Sequence, residues 1–333
     1  MSHPRTCEPH FIRKRKYLRL DLPPPGSAGF PVRAPIAASV RGILDGMRPI
    51  VLCCFAVGCG LATSGCGSTA PDSPLDAPAG SPDSPTAPGD GSAAATPQLP
   101  PLNAAFDYQL GGAYAPPTGV TIVSRDRTAA IAPGLYNICY VNGFQIQPGE
   151  ASVWQSQHAD LILRTANGSP VIDAEWNEML IDVSTPAKRT QVAAIAGDWI
   201  TGCQRAGFAA VEIDNLDSYT RSQGLLSEDN AVAMMRAMSD AAHAAGLAIA
   251  QKNSTDLVAR KAELGTDFVV AEQCNEFSEC DAYRAGYGDH VLVIEYAKAA
   301  FDTGCTAFPA LSIVLRDREL VKPGDSGYVY QGC

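Results

Sequence analysis

Three carboxylates, an amide and a tyrosine crowd into the eight positions from Glu212 to Tyr219, directly after the apolar run Phe208 to Val211. A buried strand can be apolar because its backbone groups are paired, but acids gathered at its end must be solvated, paired or used. A second apolar run, Phe268-Val269-Val270-Ala271, leads straight into Glu272 and Gln273. Two acids at the ends of two such strands can supply acid/base and nucleophilic chemistry as a carboxylate pair. Alternation sorts the central acids: Val211 and Ile213 share one strand face, while Glu212 and Asp214 share the other. Asp214, farther along, is the better placed to reach a ligand. Glu212, one layer below, reads as a buried partner for Lys252.

These residues need elements to hold them, and the chain supplies an alternation of strand-like and helix-like stretches. Strand candidates are 106–110, 120–124, 136–141, 179–183, 209–214, 247–252, 268–272, 291–296 and 311–315. The clearest helical patterns are 189–206 and 228–245, the second with Ser227 as N-cap and Gly246 as its stop. Such alternation predicts a parallel sheet with crossover helices, here a (β/α)8 TIM-type barrel. Nine candidates are one too many, so one is an extra or edge strand. Barrel enzymes keep their catalytic groups at the C-terminal ends of the strands. The residues expected there are Asp107, Gln109, Asp126, Tyr140, Asn142, Asp182, Glu212, Asp214, Asp217, Lys252, Asn253, Glu272, Gln273, Glu295 and Tyr296. Recurrence of polar groups at nearly every strand end argues for a site over an incidental ion-pair network.

The barrel expectation uses only part of the 333 residues. Residues 67–100 are mostly Ser, Pro, Ala, Gly and Asp and cannot bury enough surface to offset ordering entropy, so they read as a linker. Residues 101–333, roughly 230, match a single α/β barrel. Upstream, Met47-Arg48 precedes the apolar run 50–62 and then Thr63-Ser64-Gly65-Cys66. That is the layout of a secretory signal ending in a lipoprotein-type processing box, with Cys66 the lipidation point and Cys59 a second candidate. Translation is accordingly expected to begin at Met47, with residues 1–46 a mis-annotated or disordered leader. Six of eleven cysteines fall in the expected domain, at 139, 203, 274, 280, 305 and 333, and match no zinc spacing. An even number in an exported chain favours disulfides, with Cys274–Cys280 the preferred pair and Cys139 a candidate free core thiol.

Charge narrows the partners. The chain carries −10, and residues 1–100 hold nine Lys/Arg against seven Asp/Glu, leaving 16 against 28, or −12, for the rest. An acidic domain without a basic stripe does not suit nucleic acid, but it suits a cationic substrate. The sequence contains no His-Glu-x-x-His helix, Gly-x-Ser-x-Gly elbow, phosphate-cradling loop or dinucleotide fingerprint, so no metal or cofactor is expected. Carboxylates among aromatics and amides in an exported protein point to glycosidic bonds.

The stretch Gly207-Phe208-Ala209-Ala210-Val211-Glu212-Ile213-Asp214-Asn215-Leu216-Asp217-Ser218-Tyr219 is similar to a signature of glycoside hydrolase family 114, the endo-α-1,4-polygalactosaminidases. Agreement continues at 107–112, 138–141, 179–183, 241–246, 251–253, 272–274, 279–280 and 293–296. The resemblance implies a barrel that cuts α-1,4-linked galactosamine or N-acetylgalactosamine polymers internally by double displacement. Asp214 carries over as nucleophile and Glu272 as general acid/base. The expected substrate-binding set is Asp107, Gln109, Asp126, Tyr140, Asp182, Glu212, Asn215, Asp217, Tyr219, Lys252, Asn253, Gln273, Glu295 and Tyr296. The segment 141–148, after Tyr140, departs from the family pattern in a loop expected to shape substrate subsites. Two other readings stay open at this stage: a carbohydrate-binding lipoprotein on a non-catalytic barrel, and a barrel hydrolase for a different α-glycan.

Overall fold

The computed structural model describes residues 96–333. The leader, the signal segment, Cys66 and the linker as far as residue 95 lie outside the described residues. The chain enters the fold earlier than residue 101: the Tyr136 hydroxyl donates to the Gln98 carbonyl at 2.6 Å, and Leu99 packs against the barrel interior.

Along the chain, β1 (Phe106–Gln109), β2 (Ile122–Asp126) and β3 (Tyr136–Asn142) pair in parallel. An insertion follows, made of β4 (Gln145–Ile146), α1 (Ala151–Gln157), β5 (Ile172–Asp173) and β6 (Glu178–Leu180), whose strands form a small antiparallel sheet in the order β4-β6-β5. The regular alternation then resumes with α2 (Pro186–Ala206), β7 (Ala210–Asp214), α3 (Glu228–Ala244) and β8 (Ala248–Lys252). It continues with α4 (Lys261–Leu264), β9 (Phe268–Glu272), α5 (Cys280–Tyr287), β10 (Val291–Glu295), α6 (Lys298–Ala307) and β11 (Ser312–Arg316). A last strand, β12 (Tyr330–Gly332), lies antiparallel to β11. The main sheet therefore runs β1-β2-β3-β7-β8-β9-β10-β11-β12, eight parallel strands and one antiparallel.

The surplus strand candidate was 179–183. Only 178–180 is strand, and it belongs to the side sheet. Met179, Leu180, Ile181 and Val183 are buried in the apolar layer outside the barrel with Trp154 of α1 and Val192, Ala196 and Ile200 of α2. A short apolar run satisfies that layer as well as it would satisfy a barrel strand, so periodicity could not separate the two.

Strand alternation divides the core in two. Inside the barrel, Phe106, Tyr108, Tyr136, Ile138 and Phe268 fill the space left by Ala210, Ala248 and Ala250. Outside it, the opposite faces of β3, β7 and β8 pack on α2 and α3, and those of β9, β10 and β11 on α5 and α6. Local signals place the long helices. Thr185 accepts from the Lys188 N–H at 3.3 Å with Pro186 in the first turn of α2, and Gly207 at φ +92° ends it. Ser227 and Asn230 form a reciprocal capping box at the start of α3.

Three disulfides pair Cys139 with Cys203, Cys274 with Cys280 and Cys305 with Cys333. The preferred 274–280 pair is present. Cys139 is not a free thiol: it lies on the outer face of β3, where the inner side of α2 presents Cys203.

Among the described residues no backbone ladder joins β1 to β11, because β12 takes the free edge of β11. Side chains bridge this seam instead. The buried Arg316 guanidinium donates to Asp107 Oδ1 at 2.9 Å, to the Tyr108 carbonyl, to the Val329 carbonyl at 2.9 Å and to the Val321 carbonyl at 3.1 Å. Arg316→Ala would leave the fully buried Asp107 carboxylate without its cation. A stability loss of about 3–5 kcal/mol is expected in urea unfolding, and a loss under 1 kcal/mol would show that the seam does not depend on Arg316.

Candidate active site

At the C-terminal mouth of the barrel, one ammonium sits among three carboxylates. Lys252 Nζ, at the end of β8, lies 3.2 Å from Glu212 Oε1, 3.5 Å from Asp214 Oδ1 and 3.4 Å from Glu272 Oε2. Exposure separates their roles: the Glu212 and Lys252 side chains are 0% and 2% exposed, whereas Asp214 and Glu272 keep 20% and 26%. Only the latter two reach solvent. Glu212 lies beneath them, taking the Tyr108 hydroxyl at 2.7 Å and the Ser124 hydroxyl at 2.8 Å. The Tyr108 oxygen in turn accepts from Lys252 at 2.9 Å.

Each exposed acid has its own tyrosine. Tyr140, on β3, donates to Asp214 Oδ2 at 2.7 Å, and Tyr296, just after β10, donates to Glu272 Oε1. Asn253 holds Glu272 twice, giving Nδ2–H to Oε2 at 3.1 Å and accepting the Glu272 N–H at 2.8 Å. Chain reversals at three successive strand ends make this possible. Asn215, Asn253, Ser254 and Gln273 all adopt left-handed backbone, with φ between +48° and +64°. Non-glycine residues seldom take that conformation, and short polar side chains tolerate it best.

The electrostatics follow from crowding and burial. Burial pushes Asp214 up, but the Lys252 ammonium, the Tyr140 hydroxyl and the Asn215 N–H outweigh it and hold the carboxyl below its ordinary range. Burial also raises Glu212, and here the cation does not win: Glu212 has no solvent at all and shares Lys252 with two other acids. Lys252 is disfavoured by burial, yet its three carboxylates keep it charged well above the usual lysine range. Burial first, then neighbouring carboxylates, raise Tyr108, Tyr140 and Tyr296, so all three remain hydroxyl donors.

Of the residues expected at the mouth, Tyr140, Glu212, Asp214, Lys252, Asn253, Glu272 and Tyr296 come together, with Asn215 beside them through its Nδ2–H bond to Asn142 Oδ1 at 3.0 Å. Others do not join. Asp107 and Gln109 lie on the far face of β1 from Tyr108, in the network of Arg125 and Arg316. Asp182 is not at a barrel strand end: it accepts from Ser184 and Lys188 at the start of α2. Glu295 faces outward from β10, accepts the Asn275 N–H at 2.8 Å, and is pushed up to about 7 by burial. Asp126 binds Thr128, Tyr219 donates to Asp256 and Gln273 donates to Glu276, while Asp217 stays at the rim of the mouth on Arg221, which also donates to Asn215 Oδ1 at 3.2 Å.

Several members were not singled out from sequence as site residues. Tyr108 and Ser124 carry the inward parity of β1 and β2, a signal available once the inner face is known. The inserted side sheet adds Glu178, which accepts from Asn142 Nδ2 at 2.9 Å, and Asp173, which takes Gln145 Nε2 at 3.1 Å and pairs with Arg221 at 2.6 Å. Burial raises the Glu178 carboxyl, with Asn142 opposing and Asp214 adding to the rise. Nothing in the spacing of 173 and 178 announces that a hairpin brings them to the mouth. No group of three or more His, Cys, Asp or Glu among the described residues is arranged to hold a metal ion.

Chemically, the mouth presents two solvent-reaching carboxylates on one buried cation, each oriented by a tyrosine. Glu212→Ala is expected to cost about 3–5 kcal/mol of stability, read by urea unfolding, because it empties a fully buried ion-pair position. Asp182→Asn should leave turnover at the wild-type value; a large loss there would place the working mouth elsewhere.

The family model described as Glycoside-hydrolase family GH114 matches residues 87–333. Among solved structures, Ega3 from Aspergillus fumigatus in complex with galactosamine is similar at TM-score 0.57 and 20% identity, over 73% of this chain and 100% of that chain. The glycoside hydrolase domain of PelA from Pseudomonas aeruginosa gives TM-score 0.45 and 16% identity, over 68% of this chain and 99% of that one. At 20% identity the likeness to Ega3 is one of fold. No curated protein matches.

Proposed function

The chain belongs to glycoside-hydrolase family GH114, and from that premise we propose that it is an exported, endo-acting hydrolase of α-1,4-linked galactosamine or N-acetylgalactosamine polymers, working by retaining double displacement. One observation carries the mechanism: Asp214 and Glu272 are the two carboxylates of the Lys252 cluster that reach solvent. Asp214 is the nucleophile. Its depressed pKa keeps it ionised across the neutral range, and Tyr140 fixes the orientation of its second oxygen. Glu272 protonates the leaving oxygen and then deprotonates the attacking water. Tyr296 and Asn253 hold it in place for both steps.

Spacing supports retention. Both acids lie within 3.5 Å of Lys252 Nζ, so the two facing oxygens are at most about 7 Å apart, a bound that admits the ~5–5.5 Å of retaining enzymes and excludes most of the ~6.5–9.5 Å inverting range. The substrate class draws support from the acidic charge of the domain, which favours a polymer of protonated amines, and from the galactosamine bound by the similar Ega3. Three disulfides are consistent with an oxidising compartment. Attachment to a membrane through Cys66, with residues 67–97 as a spacer ahead of the barrel domain, completes the proposed organisation.

Reducing-end release from partially deacetylated α-1,4-galactosamine polymer tests the reading. Wild type should yield short oligomers. Asp214→Asn should abolish turnover while still binding polymer, and Glu272→Gln should lower kcat by about 10²–10⁴-fold. Because Asp214 must be ionised and its carboxyl is held low, the acid-side loss of kcat/KM should fall below the ordinary aspartate range. Absence of oligomer release by the intact, disulfide-bonded protein would overturn the substrate assignment.

A further inference from the structure

With 2% of its side chain exposed, Lys252 is buried too deeply to serve as a substrate ligand. Six titratable side chains face it, five from strands β1, β3, β7 and β9 and one just after β10: Tyr108, Tyr140, Glu212, Asp214, Glu272 and Tyr296. Beyond them, Arg221 and Glu178 interact electrostatically with Asp214. Its contacts fall into two tiers. The closer ones, Tyr108 at 2.9 Å and Glu212 at 3.2 Å, are fully buried and anchor the nitrogen from below. The longer ones, 3.5 Å to Asp214 and 3.4 Å to Glu272, reach the two acids that meet solvent.

We propose that Lys252 is a positioning residue for double displacement: a fixed ammonium, equally near the two carboxylates that exchange negative charge, which stays paired with whichever of them is ionised. The inference rests on the carboxylate-pair reading above. In the first step Asp214 forms a C–O bond to the anomeric carbon as the glycosidic C–O bond breaks, and the leaving oxygen takes the Glu272 proton. Asp214 becomes a neutral ester and Glu272 a carboxylate. In the second step water attacks the anomeric carbon, gives a proton to Glu272, and the ester bond breaks to return Asp214 to its ionised form. One negative charge has moved across the site and back, while the sum of charge around Lys252 has not changed.

Position decides the value of this arrangement. An ammonium resting on Asp214 alone would lose its partner on glycosylation and be left buried beside an ester, a penalty borne by the intermediate. One resting on Glu272 alone would be unpaired in the resting enzyme. At near-equal distances neither state bears that cost. Glu212 holds the nitrogen in register and, with no exposure, takes no part in the exchange. The argument survives reversal of which acid is the nucleophile.

Lys252→Met alone would leave three carboxylates around an apolar chain, so the decisive variant is the near-isosteric neutral pair Glu212→Gln/Lys252→Met, compared with Glu212→Gln in the full-length protein. Far-UV circular dichroism and thermal unfolding should show that the double variant folds. On partially deacetylated α-1,4-galactosamine polymer its kcat should fall on the order of 10²-fold. The acid limb of kcat/KM should move up by about one to three pH units, because the cation that helps keep Asp214 ionised is gone. The pre-steady-state burst and the steady-state rate should fall by similar factors. Unchanged kcat with an unmoved acid limb would reduce Lys252 to a structural ion pair. Slowing of one step alone would overturn the shared placement. A readout without turnover separates failure here from failure of the substrate assignment. The 13C carboxyl resonances of Asp214 and Glu272, each identified from its Asn or Gln variant, should both respond to Lys252→Met in the Glu212→Gln background and by comparable amounts; a response confined to one acid refutes the proposal whatever the substrate.

Discussion

The mouth of this barrel is organised by one buried cation that must satisfy three acids. A lysine with 2% of its side chain exposed is tolerable only where it is surrounded by negative charge. Once Lys252 is fixed, so are the directions from which Glu212, Asp214 and Glu272 approach, and with them the tyrosines that fill the remaining acceptor positions. The cluster carries more negative than positive charge.

The barrel provides what the cluster needs by combining two plain features. Small residues at Ala210, Ala248 and Ala250 admit the large rings of Phe106 and Phe268, so the floor beneath the site is packed and dry. Above it, strands β7, β8 and β9 each end on an inward polar side chain, followed by a left-handed turn. The reversals at Asn215, Asn253 and Gln273 carry backbone strain, and side-chain hydrogen bonds at Asn253 and Asn215 help hold it at the site.

Two departures from a plain eightfold barrel shape its surroundings. The insertion between β3 and α2 reaches the mouth with Glu178 and Asp173 and ties itself to β3 through Asn142. Its tip pairs with the far end of the sheet, Glu175 to Arg318 at 2.8 Å, so the hairpin is held at both ends. At the seam, β12 and Arg316 stand in for the missing ladder, with Cys305–Cys333 fixing β12 to α6.

How much of this was legible in the chain depends on the range of the interactions. Alternation in 209–214 paired Glu212 with Asp214 on one face and ranked their depths correctly, because side-chain direction along a strand is a local property. Local too were the cap at Ser227, the stop at Gly246 and the short Cys274–Cys280 loop. The phase of β1 was not legible: Asp107, Tyr108 and Gln109 alternate, but which parity faces inward is set by neighbouring strands, so Tyr108 and not its flanking polar residues reached the site. Nor did sequence distinguish 179–183 from a barrel strand, place Asp182 at a helix start, or turn Glu295 outward. Each of those outcomes depends on which distant surface is available to cover a short apolar run. The sequence by itself determined the alternating elements and the acids at their ends, since both follow from neighbours along the chain. Only the tertiary structure decided which acids meet, because a shared cation between β7, β8 and β9 exists only when the sheet has curled to bring those strand ends to one point.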